Sequence, residues 1–155
     1  MVATVRVQDG QVEAQIERVT DLADIIDDLD SGRLSSCGID IPIGLPDSGS
    51  RRCDIEARKM IGERRSSVFP APVRGLLGAA TYEEAVARSR AIHGKSLSKQ
   101  AFAILPKIEE VDRLMTPERQ CHLVEVHPEA CFTVLGVSRK TIYRYLEQTP
   151  SVAAS

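Results

Sequence analysis

Residues 38–47 read GIDIPIGLPD, a stretch that predicts a buried strand ending in polar and proline residues. With Ser36 and Cys37 before it, the run is nearly unbroken in apolar character, which is typical of a strand covered on both faces in a parallel sheet. Pro42 cannot donate a hydrogen bond to a neighbouring strand, so the strand should end soon after Asp40. A buried strand gains nothing from an unpaired carboxylate. Asp40 is therefore expected near the end of the strand, where its side chain can bind a partner.

The segments on either side of this strand predict an α/β fold. The predicted elements are a hairpin around the Asp-Gly turn at 8–11, helices at 22–29, 51–61, 81–94 and from 98 onward, a proline-rich loop at 64–75, a strand within 121–127, and helices at 129–135 and 138–149. Thr81 and Glu84 form a capping box, Gly94 ends that helix, and Pro106 should kink or divide the next one. In such sheets, polar groups converge at the carboxyl edge of the strands.

Composition limits the classes to which this chain can belong. Its 155 residues with 43% hydrophobic content fit a single domain over 1–150 with a frayed tail at 151–155. A net charge of −2 lacks the strong positive field of a general nucleic-acid coat protein, so any anion site must be local. Four cysteines without a C-x-x-C pair, no secretory leader and no apolar run of about 20 residues predict a reduced, soluble, cytoplasmic protein with no membrane span.

A second group of polar residues follows the late strand. Glu125 and His127 are two positions apart and so share a face of that strand. If this face meets Asp40, two carboxylates and an imidazole lie together and require a cation or a shared proton, with Mg²⁺ or Mn²⁺ as the natural cation. Other interpretations stay open: Asp40 as a turn or helix-cap residue, His127 as a hydrogen-bonded core histidine, and Glu129 as an acid that suits a helix dipole.

A zinc site is the alternative by residue type, from two cysteines and two histidines in this region. Its candidate ligands are Cys121, His122, His127 and Cys131. His122 and His127 differ by an odd number on a strand and face apart, which disfavours that site.

Basic residues elsewhere could bind phosphate. Arg64, Arg65 and Arg74 lie in a serine-containing loop, and guanidinium groups match phosphate oxygens well, although a solvated loop explains the same composition. Three charged residues of the 98–115 helix, Lys107, Glu110 and Asp112, suit a surface ion-pair helix as easily as a site. The chain has no Walker loop and no dinucleotide glycine fingerprint, which excludes nucleotide hydrolysis by those designs.

Five ordered motifs carry a resemblance to a known family. IDIPIGLPD, RRCDIEAR, RRSSVFPAP, SLSKQAFAILPKIEEVD and EVHPEACF, which lie between Gly38 and Gly136, resemble the predicted nucleases of ribonuclease H-like fold known as domain of unknown function 429. The resemblance implies a mixed sheet flanked by helices, whose acids hold divalent metals against a phosphodiester.

The resemblance also implies roles for particular residues. Asp40 matches the fourth-strand acid, and Glu125 and His127 match the fifth strand, with Glu129 close by. The residues that match the family's "PKI-x-E-x-D" segment and its arginine loop are Lys107, Glu110 and Asp112, and Arg64, Arg65 and Arg74.

The chain departs from the family pattern at both ends. The first central strand and its acid, usually in a G-x-D-G setting, are missing before MVATVRVQDG, and the family's basic C-terminal helix is also absent. Two explanations of the missing first strand are open: the hairpin closes directly on the 38–42 strand, or the start was assigned at an internal methionine of a longer protein. We expect the second, with truncation at both ends. Exposed strand edges would favour self-association.

The functional expectation follows from this incomplete site. It is a metal-dependent nuclease in which Asp40 and Glu125 bind Mg²⁺ and His127 orients water or a ligand, with weak or absent activity as encoded. The alternatives are a non-catalytic module that binds nucleic acid or another phosphate-containing ligand, and an inactive remnant that folds poorly.

Overall fold

Over the residues that the structure describes, the protein is a mixed α/β chain with short strands and five helices. The computed structural model describes residues 2–9, 11–17 and 21–136, so the predicted helix at 138–149 and the tail lie outside the described residues. The strands are β1 (Val2–Gln8), β2 (Gln11–Glu17), β3 (Cys37–Ile39) and β4 (Leu123–Glu125). The helices are α1 (Leu22–Asp30), α2 (Arg52–Ile61), α3 (Tyr82–His93), α4 (Lys99–Leu114) and α5 (Pro128–Val134).

The chain divides into two compact units. The first comprises Met1–Cys37 and Leu114–Leu123, and the second comprises Gly38–Arg113 and the residues from Val124 onward. Among the described residues, none of the helices combines the length and the apolar character that crossing a membrane would require.

The first unit contains the hairpin and α1. β1 and β2 pair antiparallel from Val2 opposite Glu17 to Gln8 opposite Gln11, around a turn in which Asp9 has a φ of 51°. Asparagine and aspartate tolerate this left-handed conformation better than most residues, which agrees with the predicted Asp-Gly turn.

Helix α1 is fixed at both ends by polar contacts. Asp21 caps its first turn by accepting a hydrogen bond from the Ala23 amide at 2.9 Å, and Ile25 and Ile26 are buried on its apolar face. Near its last turn, the Asp30 carboxylate binds the Arg119 guanidinium, whose Nη2 lies 2.6 Å from Oδ2.

β3 and β4 form a two-stranded parallel sheet, as the apolar run at 36–44 predicted for β3. The Cys37 amide donates to the His122 carbonyl at 2.7 Å, and the Val126 amide donates to the Ile39 carbonyl at 2.9 Å. Glycine at position 38 allows the close approach of Val126, because a Cβ there would lie 2.8 Å from Val126 Cγ1 and force a shift.

The core of the second unit contains two groups of buried apolar residues. They are Val73, Leu76, Ala85, Leu97 and Leu105 in one group, and Leu45, Ala71 and Ile108 in the other. Helix α4 contributes to both groups and continues through Pro106 without dividing in two. Leu105, Ile108 and Val111 are all buried at helical spacing, so their packing holds the helix together although proline removes one backbone donor.

Helix α3 begins and ends as its sequence predicts. Thr81 Oγ1 accepts from the Glu84 amide at 3.2 Å, and the Glu84 side chain accepts from the Ala80 amide at 2.9 Å. Gly94 ends the helix in the left-handed conformation with a φ of 71°.

The segment predicted as an irregular loop at 64–75 contains two short 3₁₀ turns, Gly62–Ser67 and Arg74–Leu76. Between them, Val68 and Val73 are buried, so the loop is packed against the unit instead of being free in solvent.

Candidate functional site

A pocket of about 460 Å³ lies in the second unit at the carboxyl ends of β3 and β4. Asp40 follows β3 directly, Glu125 is the last residue of β4, and His127 comes two residues later. All three line this pocket, together with Arg51 and Asp54 at the start of α2. The parallel pairing of β3 and β4 brings these residues together because carboxyl ends of parallel strands share one edge.

A buried ion network forms the floor of the pocket. The Arg51 guanidinium donates to both carboxylate oxygens of Glu125, from Nη1 at 2.6 Å and from Nη2 at 2.8 Å, and Nη1 also donates to the Ile43 carbonyl at 2.8 Å. Its Nε and Nη2 donate to the two oxygens of Asp54. The Arg51 and Asp54 side chains are only 6% and 7% exposed, while Glu125 is 30% exposed.

The charge of Arg51 is stabilised by these contacts. Burial by itself lowers the pKa of Arg51, but the hydrogen bonds and charges of Glu125 and Asp54 outweigh burial, so the net direction is upward. Arg51 is thus a permanent cation between two carboxylates, and Glu125 is held as its partner.

Asp54 and Glu125 also bind backbone amides. The Ala71 amide donates to Asp54 Oδ2 at 3.0 Å, and the Ile43 amide donates to Glu125 Oε2 at 2.8 Å. Each carboxylate is therefore satisfied by both a guanidinium and a peptide N–H, which fixes the loops at 43 and 71 to the start of α2 and the end of β4.

His127 is oriented by the loop after α2. Its Nε2 lies 3.2 Å from the Ser67 carbonyl oxygen, and because a carbonyl can only accept, Nε2 carries the ring proton. The other ring nitrogen, Nδ1, is buried without a hydrogen-bond partner among the described residues.

Asp40 differs from the other pocket carboxylates in its exposure and in its lack of a partner among the described residues. It is exposed and has no ion pair or hydrogen bond with the described part of the chain, whereas Asp54 and Glu125 are both bound by Arg51. It is the pocket carboxylate available to a ligand.

The residues predicted to bind phosphate lie outside this pocket, and most of them are ion-paired. Arg64 binds the buried Glu129 carboxylate at 2.7 Å, and Lys107 binds Glu110 at 2.8 Å. Arg65 is exposed on the first 3₁₀ turn.

Arg74 and Asp112 form the third such pair. The two Arg74 Nη atoms donate to the two Asp112 carboxylate oxygens at 2.7 and 2.8 Å. The hydrogen bond to Asp112 is the main reason that the pKa of Arg74 lies above its ordinary value.

Sequence reasoning missed Arg51, Asp54 and Phe69 as pocket residues. Arg51 and Asp54 stand three apart at the start of a helix, a spacing that allows an ion pair and was an available signal. Nothing in the local sequence pointed to Glu125 as the distant partner of Arg51.

The donor set does not fit a metal held by the protein alone. Within residues 2–9, 11–17 and 21–136, no group of three or more His, Cys, Asp and Glu side chains is placed to hold an ion, which applies to the zinc alternative as well. Three carboxylates and one guanidinium nevertheless give the pocket an excess of two negative charges. Mg²⁺ often binds one or two carboxylates together with substrate phosphates, and Asp40 suits that mode.

Comparison with protein families gives a match over nearly the whole chain. The family described as "Protein of unknown function (DUF429)" matches residues 1–149. The searches of curated proteins and of solved structures found no significant match.

Proposed function

This chain belongs to the DUF429 family, and from its pocket we propose that it is a weak phosphodiesterase of ribonuclease H-like fold. The observation that carries the proposal is that Asp40, which follows β3, lines one pocket with Glu125 and His127, at the end of β4, on the carboxyl edge of parallel strands. Ligands of open α/β sheets bind at that edge.

The charge of the pocket supports a cation-dependent reaction. An excess of two negative charges repels a bare phosphate and attracts a divalent cation. A Mg²⁺ or Mn²⁺ ion that arrives with the phosphate would bind Asp40. When bound, it would neutralise the charge that develops on the phosphoryl oxygens.

The other polar residues of the pocket shape it around the ligand. Arg51 holds the Glu125 carboxylate in a fixed orientation, so Glu125 shapes the pocket and contributes charge instead of moving a proton. The hydrogen bond between His127 Nε2 and the Ser67 carbonyl fixes the orientation of the imidazole ring in the pocket wall.

The experiment is hydrolysis of bis(4-nitrophenyl) phosphate and of a single-stranded oligonucleotide by the purified chain with Mg²⁺, Mn²⁺ or EDTA. We expect slow hydrolysis that needs the divalent ion and falls about 10²-fold in Asp40→Asn, because the ion would lose its carboxylate ligand. Asp47→Asn is the matched control, because Asp47 is an exposed acid in the same segment outside the pocket. Hydrolysis that is fast, independent of divalent ions, or equal in Asp40→Asn and the wild type would contradict the proposal.

A second candidate function is non-catalytic binding of a nucleic acid or another phosphate-containing ligand. It is favoured by the lack of a three-ligand metal group among the described residues. Affinity for an oligonucleotide that falls steeply with salt, without hydrolysis and without heat of Mn²⁺ binding, would support this candidate over the phosphodiesterase.

A further inference from the structure

An aromatic ring is exposed in the wall of the same pocket. Phe69 lines the pocket and is 56% exposed, although a ring of this size is usually buried. Ile104 lines it from α4 and is 39% exposed, and Gln100, one helical turn earlier, is also a lining residue. The pocket therefore has an apolar part in addition to its acidic part.

The backbone on both sides of Phe69 is fixed. The Val68 carbonyl accepts two hydrogen bonds from the Arg58 guanidinium, at 2.9 Å from Nε and 2.7 Å from Nη2. Two residues after Phe69, the Ala71 amide donates to buried Asp54 at 3.0 Å. Val68 is 4% and Ala71 9% exposed. Because the flanking peptides are anchored, the backbone of Phe69 is held beside the pocket.

We propose that this pocket takes a nucleobase, which stacks on Phe69 and whose edge is recognised by the Gln100 amide. The ring gives a flat apolar surface, and a glutamine side chain has both the donor and the acceptor that a base edge requires. This inference rests on the proposed function for the phosphate end of the ligand, and it narrows the substrate class to single-stranded nucleic acid or a nucleotide. A base in a duplex is stacked on its neighbours and would first have to flip out of the helix to reach Phe69, which favours single strands and nucleotides.

The size and charge of the pocket agree with this ligand. About 460 Å³ lies within the range of roughly 300–1,000 Å³ that is usual for small-molecule sites. A neutral base is not repelled by the excess negative charge of the pocket, so it provides the attachment that a phosphate near Asp40 and Glu125 cannot provide without a cation.

The test uses 2-aminopurine riboside, a neutral fluorescent nucleoside without phosphate, in buffer that contains EDTA. Stacking quenches its fluorescence, and we expect saturable quenching by the wild-type chain. Phe69→Ala and Phe69→Leu should each weaken binding roughly 5- to 150-fold, because both remove the ring on which the base stacks. The leucine variant keeps an apolar side chain, so it separates stacking from simple apolar contact. Phe69→Trp should retain binding, and Gln100→Ala should weaken it. Met60→Ala is the control, since Met60 is 53% exposed and lies outside the pocket.

The outcomes separate this inference from the proposed function. Absence of saturable quenching by the wild type, or equal affinity in Phe69→Leu and the wild type, would overturn nucleobase stacking even if Asp40-dependent hydrolysis is present. Saturable binding that depends on Phe69, without hydrolysis of any phosphodiester, would retain the nucleobase site and remove the phosphodiesterase.

Discussion

Replacing Arg51 with methionine should strongly destabilise the second unit. The substitution removes five hydrogen bonds and leaves the Asp54 carboxylate, 7% exposed, without its cation. Breaking a buried ion pair from one side costs about 3–5 kcal/mol, because the remaining charge is uncompensated in a poorly solvated site. For a chain of this length each kcal/mol lowers the Tm by roughly 2–4 °C, so the expected decrease is about 6–20 °C.

The assay is thermal unfolding followed by far-UV circular dichroism, at neutral pH and fixed salt. Lys59→Met on the same helix is the matched control, since the Lys59 and Glu56 side chains are 68% and 55% exposed. An exposed pair contributes about 0.2–1 kcal/mol, so this control should melt within about 4 °C of the wild type.

A second variant tests the cause of the destabilisation. Arg51→Met combined with Asp54→Asn removes the buried negative charge along with its partner, so it should melt above Arg51→Met alone. Two results would contradict this explanation: Arg51→Met melts no lower than Lys59→Met, or the double variant melts below Arg51→Met. Either result would show that an uncompensated buried charge is not the cause of the destabilisation.

Three further predictions concern other parts of the chain. Gly38→Ala should lower stability by about 1–3 kcal/mol in urea unfolding, because the new Cβ would lie 2.8 Å from Val126, and adding Val126→Ala should recover most of the loss. The hydrogen bond from Arg119 lowers the pKa of Asp30 below its ordinary value of 3.8. The ionised Asp30 carboxylate therefore stabilises the fold above pH 3.8, and this stabilisation is lost as the pH falls below that value. Urea midpoints of Asp30→Asn and the wild type should differ at pH 7 and converge in acid. Burial raises the pKa of the Cys37 thiol, so Cys37 should react with Ellman's reagent more slowly than exposed Cys53, and equal rates in single-cysteine variants would contradict this.

Local signals in the sequence were enough to predict most elements. The Asp-Gly turn of the hairpin, the capping residues of α3 and the apolar run before Asp40 each have a short-range physical cause, and the structure has these elements in the expected places. Asp40, Glu125 and His127 could be grouped because two predicted parallel strands end at those residues.

The remaining features depend on contacts between distant parts of the chain. Pro106 alone predicts a kink or a break, but the buried residues around it hold α4 together. Composition suggested that Arg64 and Arg74 bind phosphate, and only the fold shows that Glu129 and Asp112 reach them. The role of Arg51 depends on Glu125, which lies more than 70 positions later in the sequence.

The hydrogen-bond network around Arg51 joins four separate stretches of chain. Arg51 binds the Ile43 carbonyl, Asp54 and Glu125 directly, and Asp54 in turn holds the amide of Ala71. Because opening any one stretch would leave a polar group of this network without one of its partners, these stretches should separate from one another together, in one cooperative event. The amide protons of Ile43 and Ala71, which both bind carboxylates of this network, should therefore exchange with deuterium at similar rates, although they belong to different loops.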